Sequence, residues 1–168
     1  MANPKRRPMV VFTPKSMLRL KAAASSLGDF TSGTFQPVIA DEKVQNATRV
    51  IFCSGKIYHD LVAERDRLGE HTTAIARLEL LYPLPIDQMQ AVAAAHPNAN
   101  LLWVQDEPAN QGPWSYIALR TSEAHGGHGF GSRTLRRISR RATASPATGN
   151  HHLHEEEAKA LMYEAFTR

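Results

Sequence analysis

Short apolar runs alternate repeatedly with helix-like segments along this chain, and this alternation limits the possible folds more than any other feature. The apolar runs are continuous, which is typical of strands that are buried on both faces of a sheet. Strands separated by helices need crossover connections, and crossovers favour parallel pairing. The pattern therefore predicts an α/β fold, a three-layer Rossmann-like domain with a mostly parallel sheet and helices on both faces.

Hydrophobic spacing and helix-ending residues give the individual elements. The predicted strands cover residues 9–13, 49–53, 72–80, 101–105 and 135–139, with a possible edge strand at 35–39. The predicted helices cover residues 15–27, 56–68, 86–95, 110–123 and 155–166. Gly28 and Gly69 are predicted to end the first two helices, and a His- and Gly-rich loop is predicted at 125–131.

The length of the chain predicts one domain, because 168 residues suffice for one hydrophobic core. Residues 1–8 are polar and basic, so we expect a linker or arm there and a single domain at 9–168. The lone cysteine, Cys53, excludes an intrachain disulfide. No apolar run approaches the ~18 residues of a membrane span, and no secretory signal is visible. We therefore expect a cytoplasmic protein without membrane contact.

Positive charge is concentrated in two short stretches of the sequence. The net charge is +4 and the isoelectric point is about 9.5, and much of the excess lies in residues 5–7 and 133–141. Basic clusters can bind nucleic acid, but no aromatic residues interleave these arginines as single-strand binding requires. The residues favour a solvated basic strand or an acidic protein neighbour over nucleic acid.

Polar residues follow several predicted strands, at the position where open α/β sheets bind ligands. Ser54-Gly55-Lys56 could hold an anion at a helix start, although its glycine spacing is not that of a phosphate loop. Asp106 and Glu107 are adjacent carboxylates, but neighbours on a strand point to opposite faces. We expect one of them to cap the next helix and the other to meet an arginine. The strand-end segments are 13–16, 53–56, 82–85 and 105–108.

Two further groups have suitable residue types for chemistry without the required spacing. His151, His152 and His154 precede three glutamates, but they lack the i, i+4 spacing of a zinc-binding helix. We expect His154 or Asn150 to help start the last helix instead. Cys53 lies in an apolar strand and is expected to be a buried hydrophobic residue rather than a nucleophile. The residues alone therefore give no catalytic set, which favours a binding or assembly domain.

Several segments, taken together and in order, resemble one enzyme family. They are Phe12–Arg19, Cys53–Leu61, Arg77–Pro85, Trp103–Gly112 and Ser145–Asn150, with His154 beyond. The family is the thiamine-diphosphate-dependent component of 2-oxoglutarate dehydrogenase, which decarboxylates 2-oxoglutarate. The resemblance implies that this chain is the C-terminal domain of that component. It implies a fold of the transketolase C-terminal type and a structural, dimerisation role.

The resemblance places the chemistry outside this chain. In the family, preceding domains hold thiamine diphosphate and Mg²⁺ through a Gly-Asp-Gly motif, which Gly28-Asp29-Phe30 does not match. The implied expectation is no catalytic, cofactor-binding or metal-binding residues here, so the fragment alone would not be an enzyme. The implied partners are the preceding domains, a homodimer partner and the lipoyl succinyltransferase component, which accepts the succinyl group in the tricarboxylic acid cycle.

The family pattern also suggests an interface at the start of the helix that follows Asn110-Gln111-Gly112. Some actinobacterial members bind acetyl-CoA through a lysine, a serine, a glutamine and an arginine pair. The aligned positions here are different residues, so the resemblance does not carry this site over; they are Thr34, Pro37, Leu80, Asp87 and Gln88. The candidate interface or anion-binding residues are Lys15, Arg19, Glu107, Asn110, Gln111 and Trp114.

Two other functions remain open on the residues alone. The chain could be a free-standing α/β module that binds a small anion or nucleotide at the strand-end loops. It could also bind nucleic acid through residues 133–141, with an affinity that falls steeply with salt.

Overall fold

The computed structural model of the chain describes residues 8, 10–124 and 129–167. Its contacts divide the chain into two compact units, Met1–Gly33 and Thr34–Arg168. The sheet and the buried hydrophobic residues of the described chain belong to the second unit. The prediction of an arm at 1–8 followed by a single domain at 9–168 stays a prediction.

Residues 10–33 form helical turns but no strand. Two 3₁₀ helices are followed by helix α1, and none of their residues is buried; they are Lys15–Arg19, Lys21–Ala23 and Leu27–Ser32. The predicted strand at 9–13 is wrong for residues 10–13, and Met9 lies outside the described residues. A strand needs a neighbour for its backbone hydrogen bonds, and no described residue pairs with residues 10–13 in a sheet.

The continuous helix predicted at 15–27 is also wrong. Leu20 has an extended backbone (φ −77°, ψ 111°) between the two 3₁₀ helices, so the helix does not continue. Further on, the Ser26 hydroxyl accepts a hydrogen bond from the Asp29 amide at 3.4 Å, and Asp29 Oδ2 accepts one from the Ser26 amide at 2.8 Å. This capping box starts α1 and leaves Gly28 inside the helix rather than at a helix end.

A five-stranded sheet forms the centre of the second unit. Its strands β1 to β5 are Val38–Ile39, Arg49–Cys53, Thr73–Leu78, Asn100–Pro108 and Leu135–Arg140. Its helices α2 to α5 are Ile57–Leu68, Ile86–Ala95, Trp114–Glu123 and His151–Thr167. The strand order is β1-β3-β2-β4-β5, and every pair is parallel except β1 with β3. The possible edge strand predicted at 35–39 is confirmed as the short β1.

Helices cover both faces of the sheet, which confirms the predicted three-layer, mostly parallel α/β fold. The four residues Val50, Ile51, Phe52 and Cys53 of β2 have no exposed surface. Val50 and Phe52 belong to the core under α3 and α4, whereas Ile51 and Cys53 belong to the core under α2 and α5. Successive residues of a strand point to opposite faces, so a strand with two covered faces needs a continuous apolar run.

The ends of helices α2 and α5 show one predicted boundary that agrees with the structure and one that differs from it. Gly69 ends α2 in the left-handed conformation (φ 62°), as predicted. Helix α5 begins at His151 rather than at residue 155, because Asn150 caps it: Asn150 Oδ1 accepts hydrogen bonds from the amides of His152 at 2.9 Å and Leu153 at 3.2 Å. Of the loop predicted at 125–131, residues 125–128 lie outside the described residues. Among the described helices, none is long and apolar enough to cross a membrane.

A buried ion pair connects the segment before β2 to helix α2 and strand β3. Arg65 of α2 binds the Asp41 carboxylate, and both side chains are almost completely buried. Asp41 Oδ2 also accepts a hydrogen bond from the Ile75 amide at 2.9 Å, and Arg65 donates one to the Thr73 carbonyl at 3.2 Å. These extra bonds satisfy the two charges that burial removes from water.

Candidate functional site

The parallel strands β2 to β5 bring their carboxyl ends to one edge of the sheet. Three of the four strand-end segments singled out in the sequence, 53–56, 82–85 and 105–108, belong to connections or strand ends at this edge. The fourth, 13–16, belongs to the first unit. Four of the six candidate residues lie on or just after β4, at this edge: Glu107, Asn110, Gln111 and Trp114.

The turn after β4 is built around Gln105, a buried residue that sequence reasoning missed. Its Nε2 donates to the carbonyls of Gln111 at 2.8 Å and Pro108 at 3.1 Å, and its Oε1 accepts from Trp103 Nε1 at 2.9 Å. One buried amide therefore satisfies two backbone groups and the indole of the core tryptophan. Because the two bonds that Gln105 donates go to backbone carbonyls, no side-chain pattern in the sequence could have revealed them.

Gly112 lies in the same turn, and this position requires glycine for two physical reasons. Its φ of +67° lies in the left-handed region that favours glycine. A Cβ atom at this position would also lie 3.0 Å from Cβ and Cδ of Glu107, which is too close for an unstrained contact. Glu107 therefore packs against the turn with its stem. The expectation that a carboxylate of the 106–107 pair caps helix α4 is wrong, since no side chain caps that helix at its N-cap, Pro113.

Asn110 and Gln111 hold a second segment of the chain, the residues just after β5. Asn110 Nδ2 and Gln111 Nε2 both donate to the carbonyl of Thr143, at 3.0 and 3.1 Å. Asn110 Oδ1 in turn accepts from the Thr143 amide at 3.1 Å. The side-chain amides of these two adjacent residues thus hold the connection between β5 and α5 next to the end of β4.

Arg140, the last residue of β5, extends this attachment, and only 9% of its side chain is exposed. Its guanidinium donates to the Asp106 carbonyl at 2.6 Å, to Thr148 Oγ1 at 3.1 Å and to the Pro146 carbonyl at 3.4 Å. It also lies 4.0 Å from the Asp106 carboxylate, which confirms the expectation that one of the two acids meets an arginine. We refer to Asn110, Gln111 and Arg140, with the backbone of residues 143–148, as the edge clamp.

Glu157 of helix α5 completes the attachment of residues 143–148. Thr148 Oγ1 donates to Glu157 Oε2 at 2.7 Å, and Arg140 Nη1 lies 3.5 Å from the same oxygen. The hydrogen bond from Thr148, followed by the contact with Arg140, holds the pKa of Glu157 below its ordinary value. The edge clamp therefore joins β4, β5 and α5 through two of the segments that carry the family resemblance.

Trp114 begins helix α4 beside the edge clamp and is partly exposed. The guanidinium of Arg137 lies over its ring at 5.7 Å from the centroid, and Arg137 also donates to the Ala109 carbonyl at 3.2 Å. Lys15 and Arg19 belong to the first unit, in the first 3₁₀ helix, where both are exposed. The roles predicted for all six candidate residues, as an interface or an anion site, stay predictions.

A second polar cluster lies at the ends of β2 and β3, and sequence reasoning missed it as well. Arg77 lies over the Tyr58 ring at 4.6 Å and binds Glu79 at 2.5 Å, and the ring of the buried His59 packs edge-on against Tyr58 at 5.2 Å. Burial, followed by the positive charge of Arg77, lowers the pKa of His59. Nearby, Lys56 pairs with Asp60 on the surface of α2.

The side chains of the edge clamp are already occupied by contacts within the chain, and this limits their chemistry. Both ends of the Asn110 amide and most of the Arg140 donors bind the protein itself. Cys53 is fully buried, and burial raises the pKa of its thiol, which is the behaviour expected of a structural cysteine. Within residues 8, 10–124 and 129–167, no group of three or more His, Cys, Asp or Glu side chains could hold a metal ion.

The second unit is a Rossmann-like α/β domain, because its mostly parallel sheet is covered by helices on both faces. A family model described as 2-oxoglutarate dehydrogenase C-terminal matches residues 24–166. The chain belongs to this family, and the resemblance seen in the sequence is confirmed.

The chain is similar to long proteins and matches a small part of each. It is 45% identical to the 2-oxoglutarate dehydrogenase E1/E2 component of Corynebacterium glutamicum, over 96% of this chain and 13% of that protein. It is 42% identical to the E1 component of Cupriavidus necator, over 97% and 17%. It is 38% identical to the mitochondrial 2-oxoglutarate dehydrogenase of Caenorhabditis briggsae, over 97% and 16%. The chain thus spans less than a fifth of the length of these relatives.

Proposed function

We propose that this chain is the C-terminal structural and dimerisation domain of a 2-oxoglutarate dehydrogenase E1 component. The observation that carries the proposal is the family match over residues 24–166, together with relatives that are several times longer than the chain. The edge clamp supports it, because its amide and guanidinium groups bind other segments of the chain and stabilise this edge of the sheet, so they are not available to act on a substrate. The reaction of the whole protein would be oxidative decarboxylation of 2-oxoglutarate with succinyl transfer to a lipoyl group.

The cofactors of that reaction would be held elsewhere in the protein. Thiamine diphosphate is anchored through Mg²⁺, and the described residues offer no cluster of ligands for a metal ion. The described residues therefore do not fit the Mg²⁺ ion that anchors this cofactor. The proposed partners are the remaining domains of the E1 component, a second E1 copy and the lipoyl succinyltransferase component.

The mass of the native protein is the first test of the proposal. An antibody raised against the 168-residue chain is used to blot an extract of the source cells. We expect a band several times heavier than 18.6 kDa that co-purifies with 2-oxoglutarate dehydrogenase activity. A band near 18.6 kDa that separates from this activity would contradict the proposal and would favour the free-standing anion- or nucleotide-binding module.

The dimerisation role is tested at Trp114 in the full-length dehydrogenase. A partly exposed tryptophan beside an arginine has the composition typical of interface hot spots. We expect Trp114→Ala to weaken the E1 dimer by at least about tenfold in sedimentation equilibrium, which corresponds to about 1.4 kcal/mol. Tyr163→Ala, at an exposed aromatic of α5, is the matched control and should leave the dimer unchanged. Equal dimerisation of both variants and the wild type would exclude Trp114 from the interface.

A further inference from the structure

The exposed apolar side chains of this protein are concentrated in residues 10–33. These 24 residues contain seven of the large apolar side chains that are more than a third exposed, whereas the described residues between 34 and 167 contain six. Exposed apolar groups on this scale are typical of a surface that another protein covers. The seven are Val10, Val11, Phe12, Leu18, Leu20, Leu27 and Phe30.

The backbone of residues 10–13 is also unpaired within the described part of the chain. No backbone hydrogen bond joins these residues to any other described residue, and no side chain in the described chain bonds to them. The next residue, Pro14, has extended dihedral angles (φ −60°, ψ 128°). An unpaired run of β-branched and aromatic residues has both the side chains and the free backbone groups of a strand without its sheet.

Residues 10–14 lie outside the part of the chain that matches the C-terminal family model but inside the part that aligns with the relatives. The model starts at residue 24, whereas the relatives from Corynebacterium glutamicum and Cupriavidus necator align with 96% and 97% of the chain. Alignments of that coverage must include most of residues 10–23. The run therefore has a counterpart in proteins whose remaining length, more than four fifths, this chain does not contain.

We propose that residues 10–14 are a docking strand that pairs with the open edge of a β-sheet in another part of the 2-oxoglutarate dehydrogenase E1 protein. Val10 and Phe12 would face one side of that sheet and Val11 the other, so the receiving edge must offer apolar contacts on both faces. Lys15 and Arg19 follow the strand, are exposed and form no ion pair with a described residue. The receiving surface is therefore expected to carry acidic side chains beyond the end of the strand.

This inference rests on the proposed function, and hydrogen–deuterium exchange tests it separately. Exchange is followed for peptides that cover residues 10–14 in the isolated 168-residue chain and in the dehydrogenase purified from the source cells. We expect fast exchange in the isolated chain and exchange about 100-fold slower or more in the dehydrogenase, as for a paired strand. If peptides of residues 34–167 are found in the dehydrogenase while residues 10–14 still exchange fast, the docking strand is excluded and the proposed function stands. If peptides of residues 34–167 are missing, both proposals fail.

A variant and its control test whether an apolar side chain of residues 10–14 is needed for docking. Val11→Asp should leave the thermal unfolding of the isolated chain unchanged, because Val11 is 68% exposed there, and should disrupt assembly of the dehydrogenase. Phe35→Asp is the matched control, at an exposed apolar residue of the second unit, and should leave assembly intact. Intact assembly in Val11→Asp would overturn the proposal. Self-association of the isolated chain that Val11→Asp abolishes would also overturn it, because the partner would then be a second copy of this chain.

Discussion

Two four-residue runs with nearly the same composition have opposite environments in this protein. Val50-Ile51-Phe52-Cys53 forms the centre of the sheet and has no exposed surface, whereas Val10-Val11-Phe12-Thr13 forms no strand and is largely exposed. The first run has a parallel neighbour on each side, β3 and β4, and a helix layer on each face. The comparison shows that an apolar run specifies a tendency to form a strand, and that neighbouring strands turn this tendency into structure.

The largest expected effect is the difference in unfolding free energy between alanine substitutions of Phe52 and Phe12, the two phenylalanines of these runs. Phe52→Ala should lower the free energy of unfolding by about 3–5 kcal/mol, because it opens a cavity in a closely packed core. Phe12→Ala should change it by less than about 0.5 kcal/mol, because Phe12 is 96% exposed. Urea unfolding of both variants measures the difference. Similar losses in the two variants would mean that residues 10–13 are part of the folded core.

Two glycines sharpen the comparison at the level of the backbone. Gly112→Ala should destabilise the chain by about 2 kcal/mol or more, because a left-handed residue gains a Cβ that also meets Glu107. Gly28 lies inside α1, and a Cβ atom there would make only an ordinary contact with Ser26 Oγ at 3.6 Å, so Gly28→Ala should favour that helix by about 1 kcal/mol without lowering the unfolding midpoint.

Chemical denaturation of the Gly112→Ala, Glu107→Ala and double variants separates the two effects at Gly112. The double variant should recover the part that is due to the contact with Glu107 and keep the part that is due to φ. An unchanged midpoint in Gly112→Ala would contradict the geometry of the turn.

The helix caps provide a smaller test of the same contrast. Asn150→Ala removes the acceptor for two amides of α5 and should cost about 1 kcal/mol of global stability. Ser26→Ala removes the cap of the six-residue α1, and we expect faster amide exchange within α1 but the same thermal midpoint for the chain. A lower thermal midpoint of unfolding in both variants would show that α1 unfolds together with the sheet.

The smallest expected effect is a pH dependence that belongs to the second unit, since residues 10–33 contain no histidine. Burial and Arg77 lower the pKa of His59 in the folded chain. The unfolded chain therefore binds the proton more tightly, and stability should fall as the pH drops below about 6.5 until it passes the lowered pKa of the folded state. His59→Gln should flatten this slope in thermal unfolding between pH 7 and pH 5. An unchanged slope in His59→Gln would exclude His59 as its source.

The sequence predicted the sheet better than it predicted the site. The strands at 49–53 and 135–139 and the helix at 86–95 lie within a residue of their observed bounds, because local spacing reports which positions are buried. Glu107, Asn110 and Gln111 lie together at the end of β4 and just after it, and their role as an interface or anion site stays a prediction, whereas the bonds made by Gln105 and Arg140 were not predicted. Several of their partners are backbone carbonyls, as in the bond from Arg140 to Asp106, 34 residues away, and no local pattern reports such pairs.

The sequence by itself determined the alternation of strands and helices, the two apolar faces of β2 and membership of the 2-oxoglutarate dehydrogenase C-terminal family. Each of these depends on residue type and spacing along the chain. Only the tertiary structure decided that Val50–Cys53 is a strand and Val10–Thr13 is not, and that residues 106–112 and 143–148 meet in the edge clamp. The physical reason is that strand pairing and buried hydrogen bonds need partners from distant parts of the chain, and such partners exist only once the chain has folded.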